Sequence, residues 1–179
     1  MYKLFLSPST QPFNLYATKG NEQEYMNKIA DAMEPLLTKN GIEYDRNKIN
    51  TSVGVSIADS NAGLYDLHLA LHSNASPESL SGKLKGVDIY YFIDSYYGKA
   101  AAKIIVENLK SVYPDQNLVK AVPTTKLSEL TKTNAPAVLA ELGYHDNLQD
   151  EQWIKDNVET IAESLTKSVC EYFGLSYIE

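Results

Sequence analysis

The sequence predicts an α/β sandwich of three layers, in which helices flank both faces of a mostly parallel central sheet of about six strands. Short apolar segments of strand length alternate with longer segments of helical periodicity along the whole chain. One segment, Asp66–Leu71, is apolar except for His68 and its first residue, which is typical of a strand covered on both faces. No linker, repeat or low-complexity segment divides the 179 residues, so we expect one domain over residues 1–179.

The predicted strands are short apolar runs that polar loops separate. In chain order they are Lys3–Leu6, Ile42–Arg46, Asp66–Leu71, Val87–Ile93, Leu118–Val122 and Ala137–Glu141. The predicted helices carry apolar residues three or four positions apart. They are a helix from Asn21 to Asn40, then Ser52–Asn61, Lys99–Tyr113, a short turn at Lys126–Leu130, and a closing helix of about Asp150–Phe173. The segment Ser73–Gly86 is rich in Ser, Gly and Lys and is predicted to be an exposed loop.

Charge and composition exclude several classes of protein. The net charge of −7 gives no support for binding nucleic acid or an anionic membrane. No apolar run approaches the ~20 residues of a membrane helix, and the first residues lack the pattern of a signal peptide. We therefore expect a protein that is cytoplasmic at synthesis. The single cysteine, Cys170, excludes an internal disulfide and a cysteine-based metal motif.

Polar residues that suit catalysis follow the predicted strands. Ligands bind at the carboxyl ends of strands in sheets of this kind. His72 follows the third strand, Glu141 ends the sixth, and Glu22 opens the first helix. Each has an ordinary structural interpretation: Glu22 as a carboxylate that complements a helix dipole, and His72 as a hydrogen-bonded side chain. A carboxylate such as Glu141 at the end of a buried strand, however, costs free energy of desolvation unless it has a partner or a function.

Three segments together resemble a known family. They are Asp66–Ala75, which ends in His72-Ser73-Asn74-Ala75; Gly86–Tyr91; and Pro136–Tyr144, which contains Glu141. In this order they are similar to the signatures of the zinc-dependent N-acetylmuramoyl-L-alanine amidases, which cut peptidoglycan. The resemblance implies that Glu22 and His72 bind zinc, that Glu141 is the catalytic acid/base, and that Asn74 contacts the substrate.

The sequence departs from the family at one position. The family's first zinc ligand is a histidine in the turn after the first strand, and here that turn is Ser7–Gln11, with Thr10 nearest to the missing residue. Zinc is therefore expected to be held in a weakened site. His145 is a candidate third ligand or substrate contact, or else a surface histidine in a turn. His68 lies ~13 Å along an extended strand from His72, which favours a buried, hydrogen-bonded role.

Two functions follow from these observations. The first is hydrolysis of the amide between N-acetylmuramic acid and L-alanine in peptidoglycan, with the protein reaching the wall after release or by a separate export route. The alternative is a degenerate amidase fold that binds stem peptide or glycan without cleaving it. A nucleotide-binding domain is disfavoured because Ser7–Gln11 contains no glycine, and a serine hydrolase because no G-x-S-x-G motif occurs.

Overall fold

The computed structural model describes residues 2–179, and its central element is a six-stranded sheet with helices on both sides, as predicted. The strand order across the sheet is β2-β1-β3-β6-β4-β5. The strands are β1 (Lys3–Pro8), β2 (Glu43–Arg46), β3 (Leu67–Asn74), β4 (Val87–Phe92), β5 (Val119–Thr124) and β6 (Ala137–Tyr144).

The sheet is mostly parallel, with one change of direction. β2, β1, β3 and β6 are parallel, whereas β4 pairs antiparallel with β6 and β5 pairs parallel with β4. The carboxyl ends of β1, β3 and β6 therefore meet the beginning of β4 at one edge, which we call the active edge. A ligand site at a sheet of this kind is expected there.

In the described part of the chain, six α-helices cover the sheet. They are α1 (Glu22–Lys39), α2 (Val53–Ala62), α3 (Tyr96–Leu109), α4 (Ser128–Thr131), α5 (Leu148–Asp156) and α6 (Val158–Tyr172). On one face, α1 and α3 both pack against α6 over the larger apolar core. The other face has a smaller core, in which Leu130 of α4 packs against Ala70 and Leu139. No helix among residues 2–179 combines the length and the apolar character needed to cross a bilayer.

The C-terminal segment differs from the prediction of one closing helix. It forms two helices, α5 and α6, which Asn157 separates with φ −124° and ψ 24°. The Asn157 side chain donates to the carbonyl of Trp153 at 2.8 Å and so satisfies a carbonyl at the end of α5. The apolar stripe continues across this break, which is why the periodicity alone predicts a single helix.

The strand β3 is longer than predicted, because it continues past Leu71 to Asn74. His72 and Ser73 are therefore strand residues, and both are buried. Since residues two apart in a strand face the same side, His68 and His72 lie on the same face of the sheet. That face is the one covered by α2 and α4.

The loop between β3 and β4 crosses the end of β6 and is held there by two aspartates. Asp146 accepts hydrogen bonds from the backbone N–H of Ser76 at 3.0 Å and of Gly82 at 2.7 Å. Asp150 is buried and accepts from the N–H of Gly86 and of Tyr144. Residues that follow β6 thus fix both halves of this loop at the active edge.

We predict that Asp150→Ala lowers the free energy of unfolding by about 2–4 kcal/mol, since it leaves buried donors without an acceptor. In addition to the two backbone groups, the Tyr113 hydroxyl donates to Asp150 at 2.5 Å. Urea denaturation would measure the change. The exposed Gln152→Ala in the same helix is the control, and equal stabilities of the two variants would contradict the assignment.

Candidate active site

The pairing of β3 with β6 brings two predicted residues together. His72 is the register partner of Glu141, and both side chains lie on the α2/α4 face close to the active edge. The third predicted residue, Glu22, is the first residue of α1 and is 1% exposed. Asn21 caps that helix by accepting from the N–H of Glu24 at 2.9 Å, so the start of the helix is fixed locally.

The imidazole of His72 lies between two carboxylates. Its Nδ1 atom is 2.8 Å from Oε1 of Glu22, and its Nε2 atom is 2.9 Å from Oε2 of Glu129. The side-chain amide of Gln11 is 3.4 Å from the same Nδ1. Burial alone would lower the pKa of His72, but the hydrogen bonds to Glu129 and Glu22 outweigh burial and raise it well above its ordinary value.

Sequence reasoning missed Glu129, although the turn that carries it was predicted. Its buried carboxylate accepts from Ser7 Oγ at 2.6 Å and from His68 Nε2 at 3.2 Å, in addition to His72. Burial acts to raise the pKa of Glu129, yet the bonds from His68 and His72 lower it far below its usual range. A helix of four residues is too short to show a periodic pattern, so the sequence does not indicate which of its side chains face inward. The one available signal was a charged residue, Glu129, between Leu127 and Leu130.

Glu22 is held on its other oxygen. The amide of Asn14 donates to Oε2 of Glu22 at 2.5 Å, and the backbone carbonyl of Asn14 accepts from the N–H of Glu22. Burial acts to raise the pKa of Glu22, but the contact with His72 and the bond from Asn14 bring it below its ordinary value. Glu22 is therefore an anion with a fixed orientation toward His72.

Glu141 is in a different state from the other two carboxylates. Its Oε2 atom is shielded from solvent and has no hydrogen-bond partner among the residues that the structure describes. Burial is the largest cause of its shift, and the neighbouring charges of Glu22, Asp88 and Glu129 add to it, so the pKa of Glu141 rises to about 7. A carboxyl with that pKa can both accept and return a proton near neutral pH.

A cavity of about 470 Å³ opens onto this cluster. One wall is polar and includes His72, Glu129 and Glu141, and other parts are apolar. The remaining residues that line it are Thr10, Gln11, Phe13, Thr51, Ser52, Val53, Leu127, Ser128 and Leu139. The side chain of Phe13 is 72% exposed at this cavity, so the opening offers an apolar surface beside the titratable groups.

The predicted metal ligands are only partly assembled. Within residues 2–179, no group of three or more His, Cys, Asp or Glu side chains is arranged to hold a metal ion. Glu22 and His72 are residue types that bind zinc, and their facing atoms are 2.8 Å apart, at hydrogen-bond distance. Ligand atoms of tetrahedral zinc lie about 3.4 Å apart, so the two side chains would have to separate by about 0.6 Å to hold one metal. Three carboxylates also surround one imidazole, and a divalent cation would reduce that excess of negative charge.

His145 and Asn74 do not join the cluster through hydrogen bonds. The Nδ1 atom of His145 donates to the carbonyl of Ser73 at 2.9 Å, and its ring stacks on that of Tyr16. The Asn74 side chain accepts from the N–H of Ala75 at 2.9 Å. His68 is buried and hydrogen-bonded, as expected for it, with Nδ1 2.9 Å from the Ser60 hydroxyl.

Comparison with known proteins agrees with this site. Residues 12–171 match the model of the family described as N-acetylmuramoyl-L-alanine amidase, Amidase_3, and the chain belongs to that family. The sequence is 27% identical over 161 residues to the probable cell wall amidase LytH of Staphylococcus epidermidis, covering 88% of this chain and 52% of the relative. It is 24% identical over 161 residues to LytH of Staphylococcus aureus, with 87% and 51% covered. The chain thus spans about half the length of these curated relatives.

Solved structures share the fold. The catalytic domain of CwlV, an N-acetylmuramoyl-L-alanine amidase from Bacillus (Paenibacillus) polymyxa, superposes with a TM-score of 0.84 at 18% identity, covering 98% of this chain and 100% of that one. The catalytic domain of the CD27L endolysin, which targets Clostridia difficile, gives 0.81 at 22% identity and covers both chains completely. These likenesses show that the six-stranded sheet and its helices are those of the amidases.

We predict that Glu141→Gln stabilises the metal-free protein above neutral pH. The folded state holds the Glu141 proton up to a pKa of about 7, whereas the ordinary value is 4.5, so wild-type stability falls as the pH rises between these values. At roughly 1.4 kcal/mol per pKa unit, the variant should gain roughly 2–3 kcal/mol above pH 7 and little below pH 4.5. Denaturation at several pH values would measure it.

The control for this prediction is the exposed Glu159→Gln, which removes a carboxylate outside the cluster. A gain that does not change with pH, or an equal gain in both variants, would show that Glu141 is not a strained carboxylate.

Proposed function

We propose that this chain hydrolyses the amide bond between N-acetylmuramic acid and L-alanine in peptidoglycan. The observation that carries the proposal is the carboxyl of Glu141, which has an unpartnered oxygen, a pKa of about 7 and a place beside His72 at the cavity. Family membership supports the same reaction. An acid/base residue needs both a free oxygen and a pKa near the working pH, and Glu141 has both.

The proposed metal is zinc, with Glu22 and His72 as its protein ligands. The adjacent oxygen and nitrogen atoms of this pair support the assignment, and Gln11 lies beside the same nitrogen. When bound, zinc supplies a Lewis acid that lowers the pKa of its water to ≈ 7 and polarises a carbonyl. With only two strong ligands, we expect an affinity well below that of a site with three.

The residues of the chain then carry the proton. Glu141, as a carboxylate at the cavity, accepts a proton from the attacking water. It returns that proton to the nitrogen of L-alanine as the amide carbon–nitrogen bond breaks, which leaves the lactyl carboxylate on the sugar and a free amine on the peptide. The apolar surface at Phe13 and Val53 is positioned to exclude water from one side of the cavity.

The first experiment is mass spectrometry of purified peptidoglycan after incubation with the zinc-supplemented protein. We expect free stem peptides that begin with L-alanine, together with unsubstituted glycan. Glu141→Gln should lower the rate by about 10²–10⁴, the usual contribution of a general acid/base, without loss of the fold. Addition of a chelator should also abolish release.

The competing function is binding without cleavage. It predicts no release from several wall types by a folded protein, with retention of the protein on peptidoglycan in a sedimentation assay. Release that survives in Glu141→Gln would instead reject the role of Glu141 while leaving an amidase activity.

A further inference from the structure

The structure contains a buried chain of hydrogen bonds that the proposed reaction does not use directly. It runs from Ser60 in α2 to His68 in β3, then to the carboxylate of Glu129, and from there to Nε2 of His72. Ser7 of β1 donates to the same carboxylate. All five side chains are buried, so this chain links two strands and two helices beneath the cavity.

The two carboxylates beside His72 differ in what else they hold. Oε1 of Glu129 already accepts from Ser7 and from His68, and both partners are strand residues. Glu22 is joined to loop residues instead, because Asn14 donates to it and Gln11 lies beside the same His72 nitrogen. Glu129 is thus held by residues of the sheet, whereas Glu22 is held by residues of the loop that follows β1.

From this asymmetry we infer that Glu129 is a positioning residue for His72: it accepts the Nε2–H and leaves Nδ1, beside Glu22, as the atom that binds the metal. The inference rests on the proposed function. A histidine that binds a metal commonly donates its other ring N–H to a carboxylate, which selects the tautomer and the ring orientation. His68 has the complementary task, since it fixes the Glu129 carboxylate from the opposite side.

This arrangement bears on the missing histidine ligand. A site with two strong protein ligands loses affinity if either ligand is free to rotate or to present the wrong tautomer. The bond on Nε2 of His72 restricts rotation of the ring before the metal arrives, so less free energy is spent on ordering the ring at the moment of binding. Glu129 therefore contributes to a site that cannot rely on a third strong ligand.

The direct test is nitrogen NMR of the ¹⁵N-histidine-labelled wild-type protein, before and after addition of zinc. The chain contains only three histidines, His68, His72 and His145, and the signals lost in His72→Ala assign the ring. We expect the Nδ1 resonance of His72 to move into the metal-bound range while Nε2 stays protonated. Zinc on Nε2 overturns the inference, and so does a wild-type protein that binds no zinc.

The second test is the zinc affinity of Glu129→Gln, measured by competition with a chelating dye. The amide keeps the size of the side chain but has one acceptor oxygen for three donors. We expect a loss of 10–100-fold, the usual effect of removing such a partner. In the metal-free variant, the Nε2 resonance of His72 should move from its wild-type position, because the bond from Nε2–H to the Glu129 carboxylate is lost or weakened.

The matched control is Glu141→Gln, with both variants measured well above the Glu141 pKa of about 7, where Glu141 is ionised. Under that condition the control removes the same charge from the same cluster but removes no hydrogen bond to His72. Equal losses of zinc affinity in the two variants would mean that charge alone is responsible, which overturns the inference. If Glu129→Gln does not fold, the NMR experiment on the wild-type protein still shows which nitrogen of His72 binds zinc, and so tests the inference by itself.

Assays of peptidoglycan release on the same samples separate this inference from the proposed function. A protein that binds zinc through Nδ1 but releases nothing rejects the function alone. A protein that releases stem peptides but binds zinc through Nε2 rejects the inference alone.

Discussion

The register between β3 and β6 determines the geometry of the whole site. It places His72 opposite Glu141, on the face of the sheet that α2 and α4 cover. A shift of one residue in either strand would turn one of these side chains into the large apolar core, because the period of a strand is two. Both strands are apolar on the opposite face, at Leu69, Leu71 and Val138, so burial of that face makes such a shift costly. The relative position of His72 and Glu141 is therefore fixed by apolar packing on the opposite face of the sheet.

Around this pair, the distribution of hydrogen bonds gives three carboxylates three different properties. Glu129 receives three donors and is a fixed anion, and Glu22 is an anion oriented by Asn14 and His72. Glu141 has an oxygen without a partner and a pKa raised to about 7. Because each ionised neighbour makes it harder to ionise the next, the two satisfied carboxylates help to keep Glu141 close to neutrality. Ionisation of Glu141 therefore lowers the free energy of unfolding, and a loss of stability of this kind is expected at functional sites.

Much of this could be predicted from the sequence. The strands and the amphipathic helices have strong periodic signals, and Glu141 was marked by the cost of ending a buried strand with a carboxylate. Glu129 could not be found in this way, since its role depends on which residues of β1 and β3 come near a one-turn helix. The break at Asn157 was also hidden, because the apolar stripe continues across it. The antiparallel direction of β4 could not be predicted from its residues, because buried and exposed side chains alternate along a strand in the same way in either direction.

The loop between β3 and β4 crosses the end of β6, and the way it is held there determines which of its residues can vary between related chains. Its anchors, Asp146 and Asp150, belong to the segment after β6 and grip the loop through backbone N–H groups. These backbone contacts leave the side chains of the loop free except at Gly82 and Gly86, which have positive φ; a Cβ on Gly86 would also lie 2.7 Å from the carbonyl oxygen of Leu118. The rest of the stretch between the anchors is therefore free to change in sequence, while the sheet and the residues that line the cavity stay as they are. The surface that this loop forms at the end of β6 can thus differ between related chains while the register of His72 with Glu141 is kept.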